Sequence, residues 1–414
     1  MKNNKLMLVL FLTVFIDVIG FGIIIPLLPF YAENFGASPA IITLLFSCYS
    51  LMQFLFAPLW GSLSDRMGRR PILLLSIGGS CLSYLWCGLA TSLWMLFASR
   101  LLAGFMGGTI VTAQAYVSDI TTPDNRTKGM GMIGASLGLG FTLGPAIGGL
   151  LAGSNPEQVN YQLPFLAASG LSLCGFIFAF FALPKSEKLN SDEEIKTVSG
   201  AKRLLELIET LQSPLINVLI GIFFLIFLGL YGAQTTLALW FERQFSWGPQ
   251  QTGYIFMFCG VLATIIQGGM LGILNKKFGE VNLLVSGIFC LGVGLFLIPF
   301  SPTLILLLGA MSFLVIGECL SKTAIRSLLS QLAKAHDTGK ILGIAQSAAS
   351  LGMIVGPALG GFTFVVMGKD SPFFNGAILM LIATILCLSI IQQIRSELRT
   401  RGKDREMTSA AAGK

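Results

Sequence analysis

Gly61-Ser62-Leu63-Ser64-Asp65-Arg66-Met67-Gly68-Arg69-Arg70-Pro71 is a polar knot between two long apolar runs, Ile41 to Trp60 and Ile72 to Leu89. Each run is long enough to cross a bilayer as a helix, so the knot is expected to be a tight turn at the membrane surface. Arg66, Arg69 and Arg70 put that turn on the cytoplasmic side, because short loops rich in Arg and Lys are hard to translocate. Gly61 removes a side chain where the first helix leaves the membrane, Gly68 permits positive φ, and Pro71 suits the first turn of the next helix. Asp65 is an acid among bases. It is expected either to pair locally or to dock on the N-terminus of another helix and hold two bundles together.

The flanking pattern repeats along the chain. Of 414 residues, 54% are hydrophobic and only 11% charged, with a mean hydropathy of +0.79. A water-soluble surface needs more charge than this, so the solvent for most of the chain is lipid. Twelve spans are predicted: 6–29, 41–60, 72–90, 94–116, 128–151, 164–183, 215–240, 251–272, 281–299, 303–325, 339–366 and 372–393. The first is too long for a signal-peptide core and contains Asp17, so it reads as a retained helix. Of the 27 Lys and Arg residues, only Arg243 and Lys369 fall in the loops opposite the knot. Both termini are therefore expected in the cytoplasm. The net charge of +7 follows from this topology and calls for no nucleic acid. All eight cysteines lie in apolar runs without a Cys-x-x-Cys pair, so no disulfide frame, metal site or cofactor is expected. The single histidine, His336, reads as a solvated loop residue.

A polar stretch beginning Pro184-Lys-Ser-Glu-Lys divides the chain near its middle. The expected organisation is an N-terminal six-helix bundle at 1–183, a cytoplasmic linker at 184–214, a C-terminal six-helix bundle at 215–393 and a cytoplasmic tail at 394–414. In the linker, Leu204, Leu205, Leu207, Ile208 and Leu211 share one face, which suits an amphipathic helix on the inner leaflet. The halves resemble each other. Gly61-to-Pro71 has an echo in Gly272-Ile-Leu-Asn-Lys-Lys-Phe-Gly279, and Gly144-Pro-Ala-Ile-Gly-Gly149 recurs as Gly356-Pro-Ala-Leu-Gly-Gly361. The two offsets agree to within one residue and lie near half the chain length. A parallel repeat of six helices is the arrangement in which two bundles rock about a midplane site. The second turn lacks the acid and arginines of the first, so any lock there is asymmetric.

Asp17 lies about halfway through the first span. Insertion of an acid at that depth costs ~2.5–3.5 kcal/mol, so it is expected to face a wet cavity and to take part in function. Gly20, Gly22 and Pro26 loosen the same helix. Arg100, Gly104 and Gly108 recur every four residues on one face; the small residues allow close approach, and the arginine needs an acid or a carbonyl. Asp17 is its candidate partner. Thr122 reads as an N-cap, with Pro123 as the first helical residue. Gly134, Gly138, Gly140, Gly144, Pro145, Gly148 and Gly149 suit a face pressed against another bundle and bent at Pro145. Glu318, Lys322 and Arg326 form one charged stripe, which reads as a neutralising Glu318–Lys322 pair, as a titrating Glu318, or as Lys322 meeting an anionic substrate. Aromatic residues at the outer end of the seventh span suit an interfacial belt, Trp247 above all. Gln114, Tyr231, Gln234 and Gln346, with Lys322, are candidate cavity-lining residues.

Gly61 to Pro71 resembles the loop between the second and third helices of major facilitator superfamily transporters. From Asp17 through Gly153 the order of signatures is similar to that of twelve-helix drug/proton antiporters, and of tetracycline/proton exporters in particular. The resemblance implies an all-α membrane protein of two pseudo-symmetric six-helix bundles. It implies a gating role for Gly61, Asp65, Arg66, Gly68, Arg69 and Arg70, proton transfer through Arg100 with Asp17, and an antiporter motif at Gly134, Gly138, Gly144, Pro145, Gly148 and Gly149. Glu318 joins the proton-coupling candidates, but it and Lys322 depart from the exporter pattern and leave the cargo open. The function expected is proton-driven export of a small amphipathic molecule across a bacterial inner membrane by a monomer. The alternatives are carriage of an anionic or zwitterionic metabolite or siderophore and, more remotely, a membrane-embedded enzyme or receptor. With one His and no phosphate-binding Gly-x4-Gly-Lys loop, neither catalysis nor ATP use is expected.

Overall fold

Twelve helical segments in the computed structural model are long and apolar enough to span a membrane, and no strand occurs among the described residues, 2–153, 159–184, 213–333 and 337–412. The expected linker helix at 201–212 and His336 lie outside them. Apolar side chains face outward in numbers that water would not tolerate; Trp94, Phe181 and Ile305 are each more than 80% exposed.

The elements are α1 (Lys2–Ile24), α2 (Leu28–Asn34), α3 (Pro39–Met67), α4 (Arg69–Gly88), α5 (Leu93–Phe105), α6 (Thr109–Ile120), α7 (Pro123–Ala152), α8 (Gln162–Ala182), α9 (Pro214–Gln234), α10 (Leu237–Phe245), α11 (Pro249–Ile265), α12 (Leu271–Phe278), α13 (Glu280–Leu297), α14 (Leu304–Leu332), α15 (Thr338–Met367) and α16 (Ser371–Ala412). Four predicted spans are broken rather than continuous. The first turns at Ile25–Leu27, where Pro26 supplies no N–H, and the fourth opens at Met106–Gly108. The seventh breaks at Thr235 and Thr236, whose hydroxyls donate to the carbonyls of Tyr231 and Ala233 at 2.8 and 2.9 Å. The eighth passes through a π-helical turn at Ile266–Met270, beside Gly268 and Gly269.

The knot is shorter than expected. Helix α3 runs through Gly61 as far as Met67, and the turn is Gly68 alone, at φ 92°. The polar residues are the last two turns of a helix that outruns its apolar stretch. In the second half the same event occurs at Gly279, at φ 74°, between α12 and α13. Only glycine adopts this backbone without strain, so the shared register of Gly68 and Gly279 is a conformational repeat beneath a weak sequence repeat.

Two compact units result: Met1–Asp192 with Tyr231–Gly268 and Met353–Pro372, and Glu193–Leu230 with Gly269–Gly352 and Phe373–Lys414. In the first, α7 is gripped on two faces. A Cβ on Gly144 would lie 2.7 Å from Gly22 Cα on α1, one on Gly149 would lie 2.8 Å from Pro249 O on α11, and Gly260 of α11 fits against Thr142. Gly144 and Gly149 thus lie on packing faces of α7, while Gly134 has nothing within 4 Å of its Cβ position. In the second unit α13 and α14 pack closely, with Gly287 on Ser321 and Gly294 on Leu314.

Candidate functional site

Helix α1 presents Asp17 to α4 and α6, where the hydroxyls of Ser80 and Thr109 lie beside its carboxyl. Its Oδ1 is shut off from the surface and makes no hydrogen bond. Arg100 of α5 is 2% exposed, and its Nε and Nη2 are likewise without acceptors. Among the described residues no ion pair joins Asp17 to Arg100, contrary to the pairing expected from the sequence. The reason lies in what surrounds them. Tyr49 of α3 and Tyr84 of α4 each sense both charges, and the thiol of Cys87 lies at the guanidinium. A carboxyl and a guanidinium therefore share a pocket of hydroxyls and phenols without touching. Gly104, one turn beyond Arg100, seats against the Tyr49 carbonyl and Met52, and this brings α5 close to α3.

At the α3–α4 turn Arg69 is the hub. Its Nε donates to Asp119 Oδ2 of α6 at 2.7 Å, and its Nη1 donates to Ser64 Oγ at 2.7 Å and to Asp65. Asp65 therefore takes the local pairing. Its side chain is 54% exposed, so that arm contributes at most ~1 kcal/mol, and the less exposed Asp119 arm is the firmer. Arg70 donates to the Phe180 carbonyl and lies over that ring, tying α4 to α8, while Arg66 is exposed. Thr122 sits at the N-cap of α7 with Pro123 next, yet its hydroxyl does not cap. It accepts from Asn125 Nδ2 instead.

The second unit answers this hub with its polarity reversed. Glu280, directly after Gly279 as Arg69 is after Gly68, accepts from Ser327 Oγ at 2.7 Å and from Gln331 Nε2 at 2.6 Å, both on α14. The bond between a post-turn side chain and a neighbouring helix is kept, while donor and acceptor change places. On α14 Lys322 donates to Glu318 Oε1 at 2.6 Å, and Arg326 donates to Gln346 Oε1 at 3.2 Å. Two rings of α9 lie beneath: Lys322 Nζ is 4.6 Å from the Phe227 centroid and Arg326 Cζ 5.7 Å from that of Phe223. Of the candidate cavity residues, Lys322 lies in this stripe, and Gln346 of α15 meets it through Arg326. Tyr231 lies electrostatically close to Tyr49 in the first unit, Gln234 is half-buried on the last turn of α9, and Gln114 is exposed on α6.

The ends of the first unit's helices away from the α3–α4 turn carry a cluster absent from the sequence reading. Glu33 of α2 lies 3.6 Å from Arg243 Nη2 and beside the Glu242 carboxyl of α10. Burial and the neighbouring carboxylate push Glu33 up to about 7. Arg243 also covers Phe364, Lys369 Nζ donates to Gln244 Oε1 at 2.6 Å, and Ser47 Oγ donates to the Ile354 carbonyl at 2.7 Å. Trp240 is fully buried and donates to Asp370 at 2.7 Å, so it is an internal strut rather than part of an interfacial belt. Its trace in the sequence is the placing of Arg243 and Lys369, the two basic residues opposite the knot, close in the chain to the acids Glu242 and Asp370.

Broken helices around buried charged side chains and a repeated helix–glycine–helix turn are features of a membrane transporter. The Major Facilitator Superfamily model matches residues 10–301 and again 219–411, and the chain belongs to that family. It is a multi-pass membrane protein and a transporter, not an enzyme. Its relatives include the class E tetracycline resistance protein of Escherichia coli, 30% identical over 372 residues that cover 87% of this chain and 88% of that protein. Multidrug resistance protein 2 of Bacillus subtilis (strain 168) is 27% identical over 92% of this chain and 94% of its own length. Among solved structures, the human organic anion transporter MFSD10 (TETRAN) shares the fold at a TM-score of 0.70 and 24% identity, over 94% of this chain and 100% of that one.

Proposed function

We propose that this protein exports a small amphipathic, tetracycline-like molecule from a bacterial cell in exchange for protons. It works as a monomer in the inner membrane with both termini in the cytoplasm. The observation that carries this reading is Asp17: a carboxyl inside α1, with an orphaned Oδ1, beside the hydroxyls of Ser80 and Thr109, with Tyr49 and Tyr84 as neighbours it shares with Arg100. Such a group is costly in a membrane and marks a functional site by default. Protonation from outside removes its attraction to Arg100 and frees the halves 1–183 and 215–393 to exchange openings; cargo binds the other protonation state. The Arg69 hub, with Gly61, Asp65, Arg66, Gly68 and Arg70, serves as the inner latch. The faces of Gly138, Gly144, Pro145, Gly148 and Gly149 serve as bearing surfaces, and Glu318 is a second proton-binding candidate.

One proton crossing 100 mV supplies ~2.3 kcal/mol, enough for a roughly 50-fold cargo gradient in an electrogenic exchange. In proteoliposomes, Asp17→Asn should abolish accumulation of tetracycline driven by a pH gradient and leave tetracycline counterflow intact. Unchanged pH-driven accumulation in that variant overturns the assignment.

A further inference from the structure

Thr13 of α1, Ser76 of α4, and Thr109 and Thr112 of α6 are buried, none more than 3% exposed, and their hydroxyl oxygens meet no hydrogen-bond partner among the described residues. A buried Ser or Thr on a helix can avoid this by donating to the carbonyl three or four residues back. In the same unit Ser99 and Ser136 do so, to Leu96 and Ile133 at 2.7 Å each. Hydroxyls that forgo this bond are completed by buried water, each molecule of which makes about three bonds to such groups. Their positions are ordered. Thr13 and Ser76 lie one helical turn from Asp17 and Ser80, and Thr112 one turn from Thr109, each step running toward the end of the unit where Arg69 meets Asp119. The three helices converge there, because Val14, Ile77 and Ala113, the next residue along in each, share one buried cluster. Ser76 also abuts Gly108 at the start of α6, where a Cβ would lie 2.7 Å from its Oγ. From Thr109, which lies beside the Asp17 carboxyl, a polar stripe of Thr112, Tyr116 and Asp119 runs down one face of α6 over ~15 Å. Tyr116 is buried and senses the charges of Arg70 and Asp119, and Asp119 holds Arg69 of the hub. Leu10, Val14, Leu73 and Ile77 close in around this stripe with no exposed surface, which leaves no passage for a bulky solute.

We infer that Thr13, Ser76, Thr109 and Thr112 hold a file of water that carries the proton of Asp17 along α6, by way of Tyr116, to the Arg69–Asp119 hub. This rests on the proton-exchange reading above and gives its proton an exit through the interior of the first unit. The proton leaves the Asp17 carboxyl for the first water. Each water or hydroxyl accepts one proton as it passes on another, and the last is given to bulk water beside Asp119. A carboxylate remains at position 17, and every relay group ends as it began. In the proposed topology that end faces the cytoplasm, so the proton is released at the inner latch. The other titratable groups around Asp17 are Tyr49 of α3 and Tyr84 of α4, with Arg100 of α5 beyond them, and all three lie off the stripe.

The test follows the Asp17 carboxyl itself, in the full-length protein in lipid nanodiscs, by time-resolved infrared spectroscopy after a jump in pH. Its band is assigned by its loss in Asp17→Asn. Thr112→Val removes one relay hydroxyl at nearly constant volume, and Tyr116→Phe removes another. Each should slow proton loss from Asp17 about tenfold, the worth of one hydrogen bond in the barrier, and leave both its titration midpoint and the melting temperature of the protein in place. Thr112→Ser should bring the rate back to within about twofold of wild type. A hydroxyl with a structural role alone would move the melting temperature and not the rate. If either variant fails to fold, Thr13→Val and Ser76→Ala carry the same expectation. Unchanged rates in the folded variants overturn the relay; so does a Thr112→Ser variant as slow as Thr112→Val, and so does a carboxyl band that does not respond to pH. Accumulation of tetracycline by wild-type proteoliposomes under a pH gradient reports separately on the exporter reading. Its absence alongside slowed variants refutes that reading alone, and its presence alongside unslowed variants refutes the relay alone.

Discussion

Replacing Gly144 by alanine should damage this protein, while replacing Gly134 should not, although both belong to the same glycine-rich motif. A Cβ at position 144 would sit 2.7 Å from Gly22 Cα and 2.7 Å from the Ile19 carbonyl, both backbone atoms that cannot rotate away. Carbon atoms rest about 3.5–4.0 Å apart, so α1 and α7 must separate by roughly 1 Å along their closest stretch. Overpacking of this kind costs ~1–3 kcal/mol, and a rigid backbone on the other side puts Gly144→Ala toward the upper end. Alanine recovers ~1 kcal/mol of helix propensity at either position. Position 134 has nothing within 4 Å, so there only the gain applies. The two variants should therefore differ by ~3 kcal/mol, with propensity cancelling between them. Thermal unfolding of the purified protein in one detergent should place Gly144→Ala several degrees below wild type and Gly134→Ala at or above it. Tetracycline accumulation should fall in the first variant alone. Equal melting temperatures for the two would refute the reading of α7 as a backbone-to-backbone bearing surface.

Glu33 makes its cluster with Glu242 and Arg243 sensitive to pH. Its pKa is raised from 4.5 to about 7, so the stabilisation of its protonated form is complete below about 4.5 and is lost as pH rises through about 7. Melting of Glu33→Gln should match wild type near pH 5 and exceed it by pH 8; parallel curves would remove Glu33 from the balance. Arg69→Ala should cost more than Asp65→Ala, because it removes the bonds to Asp119 and Ser64 as well as the exposed pair, and Arg69→Lys should recover only part of the loss. Charge exchange in the second unit, Glu280→Arg with Gln331→Asp, should be less harmful than the sum of the single changes by ~0.5–3 kcal/mol in a double-mutant cycle. Strict additivity there would show that the two side chains are not coupled.

Much of this architecture is written in the sequence because lipid imposes a simple rule, long apolar segments with basic caps. The twelve spans and the repeat near Gly272–Gly279 follow from it. What escaped was set by tertiary partners. The extension of α3 to Met67 depends on Arg69 reaching Asp119 and Ser64, and no local propensity reports that. Asp17 and Arg100 are the obvious charges to pair, yet Ser80, Thr109, Tyr49 and Tyr84 intervene from three other helices, and hydroxyls and phenols are too common in a sequence to signal such a role. Trp240 resembles a membrane-belt residue until Asp370 is brought to its ring nitrogen from more than a hundred residues away.

The reversal of polarity between the Arg69–Asp119 and Glu280–Gln331 bonds bears on how a duplicated chain keeps its copies apart while it inserts. Were α6 to settle against α13 in place of α14, Glu280 would face the like charge of Asp119; were α14 to settle against α4, Arg69 would lose a carboxylate and gain only an amide. Each helix–glycine–helix corner accepts its own neighbour and rejects its counterpart's. Two corners that share a glycine turn are in this way told apart by the side chain that follows each glycine.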